Sequence, residues 1–178
     1  PTIGIDIVSD YSGDMFAQMR ILLQTARAMD NQKTLDAGRM PAQIDLKVAD
    51  AFDFATIDGA RAIGLDAQVG SLAPGKQADI ILVRQDGIHH APRTPDPVAA
   101  LVLQARPSDI DSVFVAGKAR KRHGRLVGVD IAAVRQRAQA SADHLAAGFA
   151  EAMKRTSETA TRATYGSELS RATGGAAR

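Results

Sequence analysis

Thr2 to Val8 is an apolar, β-branched run broken by one charge, Asp6. That pattern belongs to a strand covered on both faces, as in a parallel sheet flanked by helices, and such a strand needs neighbours on each side. The sequence opens on Pro1 rather than Met, directly ahead of this run. Natural termini are rarely placed so close to a buried element, so the expectation is the later part of a larger protein. The lone carboxylate also needs a reason. Unpaired at the end of a buried strand it would be heavily penalised by desolvation. It therefore meets a metal, a cation or hydrogen-bond donors at a functional strand end, or it serves as an N-cap or ion-pair partner. The pattern alone leaves both open.

Beyond a short loop over residues 9–13, Ser12 or Asp14 can cap a helix in which Phe16, Met19, Leu23, Ala26 and Met29 recur at helical spacing. Asn31 to Pro41, polar and carrying Gly38, reads as a loop, and Leu46 to Ile63 as a second helix with the small Gly59 and Ala60 suited to close packing. The period then changes. Val69 to Lys76 is turn chemistry, and Ala78 to Val83 is a β run entered through Asp79. Val98 to Gln104 is a short helix or strand. Ile110 to Val115 is a clear strand, and the turn at Ala116-Gly117-Lys118 leads to another over Lys118 to Arg122. Asp130 to Arg155 reads as a helix, after which Thr156 to Arg178 loses periodicity, the pattern of a frayed tail. The class is α/β.

Composition narrows the function classes. With 178 residues and 45% hydrophobic content, the chain is long enough to bury a core. It has no cysteine, which excludes disulfides, thiolate catalysis and cysteine zinc sites within this segment. A net charge of +2, with basic residues clustered only over Lys118 to His123, argues for a solvated edge and against a nucleic-acid surface. No apolar stretch approaches the roughly 20 residues of a membrane span, so neither membrane nor nucleic acid is an expected partner.

Ile3-Gly4-Ile5-Asp6 followed by Ser12 to Arg20 resembles the final barrel strand and following helix of the amidohydrolase superfamily, in its cytosine deaminase-like and chlorohydrolase-like branch. Ala55 to Leu65 is similar to that family's last barrel-associated helix. Val69-Gly70-Ser71-Leu72-Ala73-Pro74-Gly75-Lys76-Gln77-Ala78-Asp79-Ile80 resembles its C-terminal turn-and-strand motif. Pro95 to Val98 and Val113 to Leu126 extend the likeness to about residue 128. The resemblance implies the end of a (β/α)8 barrel over residues 1–66, part of a small composite β-sandwich over 67–128, and a helical, partly disordered tail over 129–178.

The same resemblance implies that Asp6 is both the metal-ligating and the catalytic aspartate, accepting a proton from metal-bound water and passing it to the leaving group. A carboxylate suits both tasks. Zinc is the expected cofactor, with iron as the alternative. The other ligands, a His-x-His pair and two single histidines in the family, fall outside this sequence. Ser9 and Tyr11, just past the strand, are candidate substrate contacts, with turn formation and helix capping as their plainer role. The implied reaction is hydrolysis of a C–N bond, by deamination of an aminated heterocycle or a related amide or amidine group, through a metal-bound hydroxide. The implied partners are a small-molecule substrate and the missing N-terminal part of the barrel, in a cytoplasmic enzyme that is homo-oligomeric when complete. The alternative is a non-catalytic remnant or one module of a split protein, with a structural or interaction role.

The histidines present are expected to stay outside the chemistry. His89 and His90 are adjacent, so in a strand they point to opposite faces and in a helix they diverge by about 100°, which argues against joint chelation. His123 in the basic hairpin and His144 on a polar helix are expected at the surface. Gly70, Gly75 and Lys76 do not have the spacing of a phosphate-binding loop, and a strand rather than a helix follows them.

Overall fold

Asp14 starts the first helix. In the computed structural model, which describes residues 1–8 and 12–173, its backbone is extended and its Oδ1 accepts from the Ala17 N–H at 2.7 Å, filling one donor left open at a helix start. Helix α1 runs Met15–Asp36 and buries Phe16, Met19 and Leu23 on one stripe. The residues read as the start of a loop, Asn31 to Asp36, belong to this helix instead. The true stop is Gly38, at φ 69°, whose N–H bonds to Leu35 O while the Arg39 N–H bonds to Thr34 O. A left-handed glycine that closes the last carbonyls ends a helix more decisively than polar composition does.

The single helix expected over Leu46 to Ile63 is two: α2, Val48–Phe54, and α3, Ile57–Ala62. Asp50 accepts from the Lys47 N–H at the start of α2. The chain breaks at Thr56, whose hydroxyl donates back to Phe52 O at 2.8 Å. Gly70 then turns the chain against α3 at φ 86°. A Cβ there would lie 2.7 Å from Ala60 Cβ and 3.0 Å from Ile57 Cα, so only glycine fits.

Strands β1 (Ile80–Val83), β2 (Ile110–Val115), β3 (Lys118–Arg122) and β4 (Arg125–Leu126) form an antiparallel sheet in sequence order. Val115 pairs with Lys118 around Ala116 and Gly117, and Arg122 pairs with Arg125 around His123 and Gly124. All four turn residues have positive φ, the conformation that matches the twist of two-residue hairpins. Asp79 accepts from the Ala116 N–H at 2.6 Å, tying the entry of β1 to the first hairpin. Between β1 and β2 lie a 3-10 turn, Ile88–His90, and helix α4, Pro97–Gln104, capped by Asp96 with Pro97 in its first turn.

Helices and sheet share one core. Phe16, Met19 and Leu23 of α1 meet Ala51 of α2 with Val102 and Ala105 of the α4 region, and Val83 and Ile110 of the sheet pack against this cluster. The strand expected over Thr2 to Val8 does not form a ladder. Residues 1–7 are neither helix nor strand, Ile3 and Ile5 are half-buried, and the rest of residues 1–8 is exposed. An apolar run becomes a strand only where other strands accept its backbone hydrogen bonds, and among the described residues none lies beside it. It docks through the Thr2 hydroxyl on Phe54 O at 3.3 Å and through Ile3, which packs against the core.

The chain divides into two compact units, Pro1–Gly128 and Val129–Arg178. In the second, helix α5 runs Ile131–Thr173, with Asp130 accepting from the Ala133 N–H at its start. Helix therefore continues well past Thr156, where loss of apolar periodicity suggested a frayed tail; residues 174–178 of that tail lie outside the described residues. Alanine-rich and straight-chain sequence sustains a helix by propensity without any apolar stripe to mark it.

Leu23→Ala is expected to lower stability by about 2–5 kcal/mol, whereas Ile21→Ala, on the exposed side of α1, should change it by about 0.5 kcal/mol or less. Urea unfolding followed by far-UV circular dichroism checks the pair, and equal losses would contradict the core described.

Candidate functional site

Asp6 sits on the N-terminal segment with φ 62°. Three non-glycine residues among those described have positive φ. Ala116 and His123 owe it to hairpin turns, and Asp6 has no such turn to explain it. Aspartate tolerates this region better than most residues, and single outliers of this kind concentrate at functional positions. The side chain is exposed, and among the described residues nothing hydrogen-bonds or ion-pairs with it. The Arg20 guanidinium donates to Val102 O at 3.3 Å and Ala105 O at 2.9 Å. Ser9 and Tyr11 lie outside the described residues. A shallow groove beside the segment is lined by Thr2, Ile3, Gly4, Gln18 and Ile21.

A zinc centre needs three or four donors. Asp6 offers one carboxylate, and no other His, Asp or Glu among the described residues gathers with it into such a group. By themselves these residues do not fit a zinc ion at Asp6.

The reading of the histidines needs correction. His89 and His90 do not diverge. They lie in the 3-10 turn Ile88–His90, where their ring centroids are 4.3 Å apart and both converge on one oxygen of Asp109. His89 Nε2 is 2.9 Å and His90 Nε2 3.2 Å from Asp109 Oδ2, and the Arg106 N–H donates to the same atom at 2.8 Å. His90 and Asp109 are buried. The divergence argument assumed regular helix or strand, and a tight turn entered through Gly87 obeys neither: a Cβ at Gly87 would lie 2.5 Å from the His89 ring. The signal available in sequence was Gly87 two residues before His89. Two other expectations hold: His123 is exposed, 3.9 Å from Asp111, and His144 is exposed. Lys76 is structural, its ammonium donating to Val69 O and the Ser71 hydroxyl.

The Amidohydrolase family model matches residues 2–120, a span that takes in Asp6, the shared core, Asp109 and the turn of the first hairpin. The chain belongs to the Amidohydrolase family. It is 36% identical over 129 residues to a 5-methylthioadenosine/S-adenosylhomocysteine deaminase from Moorella thermoacetica, covering 72% of this chain and 28% of that protein. It is 33% identical over 145 residues to a 5'-deoxyadenosine deaminase from Methanothermobacter thermautotrophicus, covering 81% and 31%. Among solved structures, an adenosine deaminase from Xanthomonas campestris with bound zinc superposes with a TM-score of 0.65 at 29% identity, over 75% of this chain and 28% of that one. Atrazine chlorohydrolase from Arthrobacter aurescens, complexed with zinc, superposes at 0.57 with 22% identity over 70% and 25%, a likeness of fold alone. The chain thus spans under a third of the length of these relatives. No helix among the described residues is long and apolar enough to cross a membrane.

Burial acts to raise the Asp109 carboxyl, but hydrogen bonds from His89, the Arg106 N–H and His90 outweigh it and hold the group at about 2, below its ordinary 3.8. A carboxyl lowered on folding stabilises the protein at pH above its unfolded value, and that contribution disappears as pH falls through the folded one. Acid unfolding should therefore carry an Asp109-dependent component between about pH 4 and pH 2. Asp109→Asn is expected to cost about 1–3 kcal/mol at neutral pH and to flatten that component, as measured by urea unfolding at a series of pH values.

Proposed function

We propose that this chain is the C-terminal part of a metal-dependent amidohydrolase that deaminates an aminated heterocycle, with Asp6 at its reaction centre. What carries the reading is the family match over residues 2–120 together with an exposed Asp6 carboxylate that has no partner among the described residues. The names of the relatives support an adenine nucleoside altered at its 5' position as the substrate class. In this reading residues 1–66 complete a barrel and residues 67–128 part of a β-sandwich. The remaining metal donors, zinc being the ion that the neighbours hold, come from outside the segment.

The chemistry is hydrolytic. Water adds to the ring carbon that bears the amino group, the C–N bond breaks, and ammonia leaves as the carbonyl forms, with the second proton of the water ending on the adjacent ring nitrogen. An Asp6 oxygen takes the proton from the attacking water and returns it to the departing nitrogen, a transfer between two atoms that one rotatable carboxylate can reach in turn. The absence of any cation or capping amide on Asp6 among the described residues leaves both its oxygens available for this exchange. Ser9 and Tyr11, next along the chain, are assigned to substrate contact.

The test joins this chain to the N-terminal barrel of the Moorella relative and measures ammonia release from 5'-deoxyadenosine and 5-methylthioadenosine. Activity is expected, and Asp6→Asn should lower it by about 10²–10⁴-fold. Full activity in that variant would remove Asp6 from the mechanism.

A further inference from the structure

Three potential donors, a ring nitrogen from His89, one from His90 and a carboxylate oxygen of Asp109, lie within 4.8 Å of one another. The two nitrogen-to-oxygen separations, 2.9 and 3.2 Å, resemble the spacing of neighbouring ligands around a small divalent ion, which with bonds of about 2.0–2.2 Å runs to about 3 Å. We propose that His89, His90 and Asp109 form a binding site for a divalent transition-metal ion, separate from Asp6 and independent of the deaminase reading.

The surroundings are those of a built site. His90 is 3% exposed and Asp109 7%, so two of the three donors are shielded from water and their rotamers are restricted. The Arg106 N–H fixes Asp109 Oδ2 and the Ser108 hydroxyl approaches Oδ1, the outer support that orients a ligating carboxylate. His89 is the wetter of the two histidines, its side chain 21% exposed, which opens a route for the ion and for a water as fourth ligand.

As a clasp alone, the arrangement crowds three donors onto one oxygen. With an ion in place, Oδ2 and the two imidazoles each contribute a lone pair to it, and each neutral ring carries its proton on the nitrogen facing away. Two imidazoles with one carboxylate form a borderline donor set that suits zinc, nickel or copper and not magnesium or calcium, which favour oxygen alone.

The experiment titrates the full, tag-free chain with zinc in a calorimeter and repeats it with His89→Gln, Asp109→Asn and Asp6→Asn. Binding of one ion per chain is expected, weakened at least about tenfold by either clasp substitution and unchanged by Asp6→Asn. Because Asp109→Asn can disturb the fold, the unaltered chain is also followed by long-range ¹H–¹⁵N spectra of its histidine rings. Zinc should shift the signals of His89 and His90 and leave those of His123 and His144 in place. No binding, binding lost with Asp6→Asn, or ring signals indifferent to zinc would overturn the proposal.

Discussion

Arg20 holds the first unit together at its least obvious point. It projects from α1 beside the stripe of Phe16, Met19 and Leu23, and its guanidinium closes carbonyls at the end of α4, 82 and 85 residues further along the chain. The last carbonyls of a helix have no partner within it, and a cation there gains from both hydrogen bonding and the helix dipole. The contact also sets the approach of α1 to α4, so that Leu23, Val102 and Ala105 are sealed from solvent. Burial of these side chains supplies the driving force, and the guanidinium supplies the register between two helices far apart in sequence.

From α4 the order passes to the sheet through Asp109. Its Oδ2 gathers the Arg106 N–H with His89 and His90, so the segment after β1 and the segment before β2 close on one carboxylate. Since Arg84 N bonds to Asp109 O, the same residue also extends the β1 to β2 pairing. A buried carboxylate with several donors is strongly bound only while all are present, which makes this a cooperative joint.

The N-terminal segment behaves differently because nothing among the described residues completes it. Ile3 reaches the core edge and Thr2 anchors to α2, yet Ile7 and Val8 are exposed. The family match begins at residue 2, so the apolar run that looks like a buried strand in sequence belongs to the matched region even though no ladder forms around it.

Local rules were enough for much of the rest. A helix start at Ser12 or Asp14, the stripe of α1, the β runs at Ile80 and Ile110 and the turn at Ala116-Gly117 follow from propensity, capping and period, and together with the motif at Val69 to Ile80 they made the family legible. The break at Thr56, the extension of α1 to Asp36 and the unbroken α5 were less visible, because competing local signals of similar strength were decided by packing or by cumulative propensity. Gly87 marks a tight turn before His89, but that His89 and His90 meet on Asp109 does not follow from their spacing. Spacing along a chain predicts direction only in regular elements; in a tight turn the direction of each ring is set by what it can reach, and here that is a carboxylate 19 and 20 residues away.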